Sequence, residues 1–154
     1  MAKLDLSLTD EELERYLAQQ RTCRVATVGP GGTPHVVPLW FVWHRHTLYL
    51  NSTLGNPTVE NLLRSGRASA VVDDGESYDE LRGAVLSGLA ERAEDDPSLD
   101  EVERLWSTKY LGGNPPPYRR WKDRVWLRLR PDHVASWDFR KIPEAKAKRD
   151  GEAR

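Results

Sequence analysis

A run of hydroxyl and amide side chains lies directly before a helix whose first residue is a proline. The members of this run and of the first helical turn are Asn51, Ser52, Thr53, Asn56, Pro57 and Thr58. A helix N-terminus has free backbone amides and a partial positive charge, and neighbouring hydroxyls add donors. The pattern therefore predicts a phosphate site. Capping of a surface helix by Asn56 and Thr53 explains the same residues, because most helices begin at such a cap.

A second candidate lies on the apolar strand predicted over residues 36–43. Its central residues are Val37, Pro38, Leu39 and Trp40. Proline has no amide hydrogen for the ladder, so we expect an edge, a bulge or a backbone that faces a ligand. Unpaired strand groups beside Pro38 would suit a planar heterocycle. A core strand with an edge proline is the alternative.

The third candidate is the aromatic and basic run at residues 137–141, which begins with Trp137 and ends with Lys141. It follows the last predicted strand and could lie across a ligand in the same or a partner subunit. Anchoring of the core by Trp137 explains it equally well. Elsewhere the sequence has no Ser-His-Asp arrangement and no metal-ligand spacing, since His44 and His46 lack a third ligand. This is typical of proteins whose chemistry belongs to a bound cofactor.

Composition limits the classes of function. The 154 residues carry 23 Lys and Arg against 24 Asp and Glu, a net charge of −1, so nucleic acid is not an expected partner. No apolar run approaches the roughly 20 residues of a membrane span. The acidic N-terminus has no apolar signal core. The single cysteine, Cys23, excludes an internal disulfide and suits a reducing compartment. We therefore expect a cytoplasmic protein.

The spacing of apolar residues and turns predicts a mainly β fold. Helices are predicted over residues 9–20 and 57–65 and from Pro97, and strands over residues 21–28, 36–43, 47–52, 68–72, 84–91, 124–129 and 133–137. Short connections indicate antiparallel pairing in a small β-barrel with peripheral α-helices. We expect a single domain over residues 1–142 and a charged, frayed tail over residues 143–154, where no apolar period is visible.

Several stretches of the chain match a known family pattern. They are ATVGPGGTPHVVPLWF at 26–41, LYL at 48–50, NLLR at 61–64 and VVDD at 71–74, with familiar segments at 81–91 and 130–138. The sequence resembles the split β-barrel flavin- and deazaflavin-dependent oxidoreductases related to pyridoxamine 5′-phosphate oxidase. The resemblance covers residues 5 to 142 and implies a Greek-key antiparallel split barrel.

The resemblance also implies a homodimer with two cofactor sites at the subunit interface. The flavin or deazaflavin ring would lie against Val37, Pro38, Leu39 and Trp40, and the phosphate over Ser52, Thr53, Asn56 and Thr58. Asn61 and Arg67, with Asn51 and Pro57, complete the candidate cofactor-binding residues in this part of the chain. Trp137 and Lys141 are candidates for contribution from the partner subunit.

One departure from the family pattern favours one cofactor over another. The family usually has a lysine, often after another basic residue, where this chain has Pro57 and Thr58. Loss of that charge-assisted hydrogen bond would weaken FMN phosphate binding by about 1.5–3 kcal/mol. The phosphodiester of the deazaflavin coenzyme F-420 carries less charge. We therefore expect hydride transfer between F-420 and a small conjugated or heteroaromatic acceptor, with an FMN-dependent oxidase or reductase, or a non-catalytic flavin or tetrapyrrole carrier, as alternatives.

Overall fold

A computed structural model describes residues 3–117 and 123–152 of the chain. Its helices and strands, in chain order, are α1 (Asp10–Gln19), β1 (Thr22–Val28), β2 (Pro34–His44), β3 (Thr47–Thr53), α2 (Pro57–Ser65), β4 (Arg67–Asp74), β5 (Arg82–Arg92), α3 (Leu99–Tyr110), β6 (Arg124–Asp138) and α4 (Ile142–Glu152). Short 3-10 turns at Tyr78–Glu80 and Phe139–Lys141 flank the last two strands.

The six strands form a closed antiparallel barrel in the order β1-β2-β3-β6-β5-β4. Alternate residues of each strand point inward, and the enclosed core includes Val25, Phe41, Leu50, Leu86 and Leu127. This architecture confirms the predicted fold class, a mainly β split barrel with peripheral helices.

Part of β2 has only one strand neighbour. β2 pairs with β1 from Pro34 to Trp40, but with β3 only over Phe41–His44. Helix α2 packs into the barrel core through Val59 and Leu62, which are fully buried. The start of α2 meets this part of β2 at Thr58, whose hydroxyl lies 3.1 Å from Nε2 of His35.

The last strand differs from the prediction. The sequence indicates two strands, 124–129 and 133–137, separated by Pro131, whereas β6 is continuous over 15 residues. A register shift opposite Ser87 and Gly88 absorbs the irregularity. A Cβ atom on Gly88 would lie 2.1 Å from the carbonyl oxygen of Arg130, so this bulge requires glycine.

The two ends of the chain meet at the second half of β6. The amide of Asp138 donates to the carbonyl of Leu6 at 2.7 Å, and that of Leu8 donates to the hydroxyl of Ser136 at 3.0 Å. Helix α1 then begins at Thr9 with the predicted capping box to Glu12. Up to Glu152, the described part of the tail that we expected to be frayed over residues 143–154 lies in helix α4, which has no buried side chain and no apolar stripe in its sequence.

Helix α3 covers the outer face of β2, β3 and β6. It packs Val102 and Trp106 against a second apolar cluster that contains Val42, Tyr49 and Trp126. This cluster accounts for several of the aromatic residues that are so frequent in the sequence. No helix in the described ranges, 3–117 and 123–152, is long and apolar enough to cross a membrane.

Candidate functional site

The polar end of β3 is held by an arginine from the last strand. Arg124 lies opposite Thr53 in the β3–β6 register. Its Nε donates to Oδ1 of Asn51 at 2.8 Å, and its Nη1 donates to the hydroxyl of Thr53 at 3.1 Å. Asn51 is only 5% exposed. Residues 51–61 contain no lysine or arginine of their own. The structure therefore brings a cation from β6 to this hydroxyl-rich loop.

The loop itself is tied to the start of β6. The amide of Leu54 donates to the carbonyl of Asp123 at 2.7 Å, and the amide of Asn56 donates back to the carbonyl of Thr53 at 3.2 Å. These bonds close a turn between Thr53 and the first residue of α2, Pro57. The Arg124 guanidinium is thus attached to the same turn that delivers the chain into α2.

Helix α2 begins at the predicted residue, Pro57, but the side-chain hydrogen bond expected of a capping residue is missing. Asn56 makes no side-chain hydrogen bond to the helix. The Thr58 hydroxyl lies 3.1 Å from Nε2 of His35 on β2, and Asn61 Nδ2 donates to the hydroxyl of Thr27 at 3.2 Å. The first-turn amides therefore lack a side-chain acceptor from Asn56, which favours an anion site over simple capping.

The structure divides the predicted phosphate residues into two groups. Asn51 and Thr53 share the outer face of β3 with Arg124, whereas Ser52 alternates to the opposite face. Thr58 is 4% exposed and faces the end of β1 and β2, together with Asn61. The backbone turn at Asn56 and Pro57 connects the two groups.

The predicted ring-binding strand lies at the free edge of β2. Exposed and half-buried residues alternate through Val37, Pro38, Leu39 and Trp40. Leu39 packs on the barrel core. The indole of Trp40 is 45% exposed and stacks on the Tyr110 ring, with the ring centroids 4.4 Å apart and the planes 5° apart. A flat, partly exposed aromatic surface therefore borders the unpaired backbone.

Three of the predicted site residues lie away from the loop within the chain. Arg67 is at the far end of α2, about 14 Å along a nine-residue helix, and forms an ion pair with Asp132. Trp137 covers Gly83 on the outer face of β5. Lys141 Nζ donates to the carbonyl of Ser7 at 2.8 Å and pairs with a Glu12 carboxylate.

The titratable groups near β2 supply no obvious acid or nucleophile. Burial raises the pKa of Cys23 to about 12, so it is an inert structural thiol. Burial raises the pKa of Tyr110 to about 12, although its hydrogen bond with the Phe41 backbone opposes the shift. In the parts of the chain that the structure describes, no group of three His, Cys, Asp or Glu residues could hold a metal ion.

The residue that the sequence reasoning missed is Arg124. Nothing in its local sequence distinguishes it from the other arginines of residues 124–130. Its role depends on the pairing of β3 with β6, two strands more than 70 positions apart. The alternation of side chains along β6 predicts that Arg124 lies on the outer face. That it lies opposite Thr53 follows from the pairing of β3 with β6, which the local sequence does not reveal.

A split barrel with a polar loop before α2 and a free strand edge beside it defines a cofactor-binding class of proteins. The pattern of the family described as pyridoxamine 5′-phosphate oxidase matches residues 9–138. The chain therefore belongs to the pyridoxamine 5′-phosphate oxidase family.

Solved structures are similar over most of the chain. A conserved hypothetical protein from Mycobacterium tuberculosis shares 28% identity with a TM-score of 0.81, covering 93% of this chain and 92% of that one. An F420 reductase shares 27% identity, TM-score 0.61, with coverage of 79% and 94%. The heme storage protein HutZ from Vibrio cholerae shares 18% identity, TM-score 0.68, with coverage of 83% and 94%. No curated protein matches the sequence of this chain.

Proposed function

We propose that this chain is a cytoplasmic, homodimeric oxidoreductase that transfers hydride between coenzyme F-420 and a small conjugated or heteroaromatic acceptor. The F420 reductase among the similar structures supports this choice of cofactor. The observation that carries the proposal is the arginine clamp at the polar loop, Arg124 on Asn51 and Thr53.

The charge of this loop fits a phosphodiester better than a phosphate monoester. A monoester such as that of FMN carries about −1.5 to −2 at pH 7. The phosphodiester of F-420 carries a single negative charge. Among the described residues, Arg124 brings a guanidinium to Thr53 and Arg64 brings one to Asn61, whereas the first turn of α2 has Pro57 and Thr58 rather than a basic residue. The missing basic residue in this turn favours the ligand with the smaller phosphate charge, F-420.

The donors of the loop fit a phosphate group in kind as well as in charge. Backbone amides at the start of α2 are not satisfied by Asn56, and the Thr53 hydroxyl is held in place by Arg124. Such fixed donors can bind a phosphate with little loss of side-chain freedom. In the proposed site, Asn51, Thr53, Asn56 and Pro57 form the outer side of the phosphate end, and the buried Ser52, Thr58 and Asn61 support the same turn from the barrel side.

The free edge of β2 forms the ring end. Over Val37, Pro38 and Leu39 the strand has no second strand neighbour, so the backbone groups that point away from β1 can bond to the polar edge of a planar ring, Pro38 through its carbonyl alone. When bound, the deazaflavin ring supplies a carbon that gives or takes a hydride. The role of the chain is to orient the ring and exclude water on one side, with the exposed Trp40 indole bordering the site.

A second protomer completes the proposed site. Val36 is 60% exposed and lies on the same outward side as Trp40, so the free edge presents apolar surface to solvent. Covering this surface with a second copy would bury it. Trp137, Lys141 and Arg67 would then contribute from the other protomer. Lys141 would exchange its ion pair with Glu12 for the cofactor.

Two alternatives make different predictions. An FMN-dependent oxidase or reductase of the same family would bind FMN more tightly than F-420. A non-catalytic carrier would bind a flavin or a tetrapyrrole without turnover. The fold likeness to a heme storage protein makes the carrier worth testing.

The deciding experiment is a fluorescence titration of the purified protein with F-420, FMN and hemin. It is carried out separately on the fractions that have the size of a dimer and the size of a monomer. The proposal expects tighter binding of F-420 than of FMN, followed by oxidation of reduced F-420 in the presence of an enone acceptor. Micromolar FMN binding with no response to F-420 would contradict the choice of cofactor. Binding of F-420 without turnover across a panel of enones and quinones would support the carrier.

A further inference from the structure

Away from the loop, one cavity combines apolar walls with an amine. Its volume is about 270 Å³, and it lies between α1, β2 and α3. Its lining residues are Ala18, Val42, Trp43, Leu105, Thr108 and Lys109. Pockets for drug-sized ligands usually have volumes of about 300–1,000 Å³. This cavity therefore suits a smaller molecule with an apolar body.

Lys109 lines this cavity, and its amine has no acidic partner among the described residues. Its Nζ donates to the carbonyl of Phe41 at 3.2 Å and lies 4.2 Å from the centroid of the Phe41 ring. Burial, with a further contribution from the neighbouring Arg21, lowers the pKa of Lys109 to about 8. Within residues 3–117 and 123–152, no carboxylate forms an ion pair with Lys109.

Arg21 adds a second positive charge at the same place. Its Nη1 donates to the carbonyl of Lys109 at 2.7 Å, and its guanidinium lies 5.0 Å from the centroid of the Tyr110 ring. In the described part of the chain Arg21 contacts this carbonyl and this ring but no carboxylate. Lys109 is half-buried, and partly buried cations are normally paired with anions. Arg21 is exposed, so its contribution is to the positive field around Lys109.

Glu14 does not supply that charge. It lies on α1 at the Trp43 side of the cavity, where its Oε2 accepts from Trp43 Nε1 at 2.8 Å. Its other oxygen is 3.0 Å from Nδ1 of His46. Two further titratable groups close to Lys109, Cys23 and Tyr110, stay protonated because burial raises the pKa of each to about 12.

We propose that this cavity binds a small carboxylate with an apolar body. The carboxylate would accept from Lys109 Nζ, with Arg21 strengthening the positive field, and the body would contact Val42, Trp43 and Leu105. The charge complementarity between two cations and one anion is what selects a carboxylate over a neutral ligand. Binding is non-covalent and needs no cofactor, so the proposal stands independently of the hydride-transfer reaction.

The test is calorimetric titration of the cofactor-free protein with benzoate, its neutral counterpart benzamide, and benzylamine. We expect benzoate to bind about tenfold or more tightly than benzamide, the effect of one charge-assisted hydrogen bond, and benzylamine to bind most weakly. Lys109→Met should abolish the preference for benzoate and retain benzamide binding. Lys109→Arg should keep the preference, and Lys146→Met on the exposed face of α4 should leave it unchanged.

The pH dependence provides a second readout. The affinity for benzoate should fall between pH 7 and pH 9, where Lys109 loses its proton, whereas the affinity for benzamide should stay constant. Equal wild-type affinities for benzoate and benzamide overturn the proposal, and so does a preference that survives in Lys109→Met. Absence of any benzoate binding at millimolar concentration also overturns it. The comparison of benzoate with benzamide on the wild-type protein tests the proposal even where a variant is poorly folded.

Discussion

Arg124 on the last strand binds the side chain of Asn51 on the third, with Nε of the arginine 2.8 Å from Oδ1 of the amide. The same guanidinium reaches the hydroxyl of Thr53. The polar loop between β3 and α2 is therefore not an independent local motif. The geometry and the charge of this loop both depend on Arg124, which is distant from the loop in the sequence.

Replacing that arginine should separate ligands with a phosphate from ligands without one. Arg124→Gln removes the cation of the proposed site, so we expect the affinity for F-420 and FMN to fall by about tenfold or more. The affinity for riboflavin should change little. Fluorescence titration measures all three. Arg130→Gln is the matched control, because Arg130 is on the same strand and pairs with Glu91 at the surface. An equal loss for riboflavin and FMN would indicate a general disturbance of the fold.

Adding a positive charge to the first turn of α2 should shift the cofactor preference towards FMN. In Thr58→Lys, an ammonium near the helix N-terminus would pair with the second charge of a monoester, and FMN binding should tighten by about tenfold. Thr58 is buried against His35. Pro57→Lys, at an exposed position, is therefore the second variant.

The control for these variants places the same charge at the other end of the helix. Ser65→Lys, at the exposed C-terminal residue of α2, should leave FMN binding as it is. If neither Thr58→Lys nor Pro57→Lys changes FMN binding, the phosphate is not bound at this turn.

The contact between Trp137 and Gly83 should be sensitive to a single methyl group. A Cβ atom on Gly83 would lie 2.5 Å from Cζ2 of Trp137 and 2.8 Å from the carbonyl oxygen of Val72. Gly83→Ala should therefore lower the free energy of unfolding by about 1–3 kcal/mol, as measured by urea denaturation. Gly31→Ala, where a Cβ atom meets nothing within 4 Å, should be close to neutral. Similar effects of the two substitutions would rule out the predicted clash.

Acid should weaken the junction between β6 and the following turn. The Arg140 guanidinium and backbone amide bind the buried Asp138 carboxylate and lower its pKa below the usual value. Because the folded-state pKa is the lower one, Asp138 contributes stability above the unfolded-state pKa of about 3.9, and this contribution is lost as the pH falls. Asp138→Asn should therefore destabilise the protein at pH 7 but progressively less below pH 4.

The measurement is the free energy of unfolding of both proteins from pH 7 to pH 3. Asp132→Asn serves as control, since that carboxylate pairs with Arg67 at the surface of the same strand. A difference between wild type and Asp138→Asn that is the same at every pH would contradict the assignment.

Local signals explain which parts of the fold could be predicted from the sequence. The helix predicted over residues 57–65 is confirmed as α2, which begins at Pro57 and ends at Gly66, a left-handed C-cap with φ of 69°. The helix buries Val59 and Leu62 and leaves Leu63 38% exposed. A nine-residue helix that plugs a barrel end buries a narrower stripe than one lying flat on a sheet.

The parts that could not be predicted depend on distant pairing. Pro131 is locally typical of the end of a strand, and a bulge in β6 at Asp132, opposite Ser87 and Gly88, allows β6 to continue. The Arg124 clamp requires β3 and β6 to be neighbours, which no local pattern states. The sequence thus predicts where the candidate site lies, before α2 and at Pro38. It does not predict the positive charge that Arg124 brings to the site.

The position of Arg124 also determines when the loop can be completed during synthesis of the protein. The ribosome delivers residues 51–58 long before β6, whereas a domain generally folds as a unit. Until β6 docks on β3, the loop has neither its cation nor the Asp123 carbonyl that holds Leu54. Closing a segment of this length is slow relative to local turns. Ligand binding at the loop would therefore report that the barrel has closed, and a truncated chain that ends before β6 would retain the sequence of the loop without its affinity.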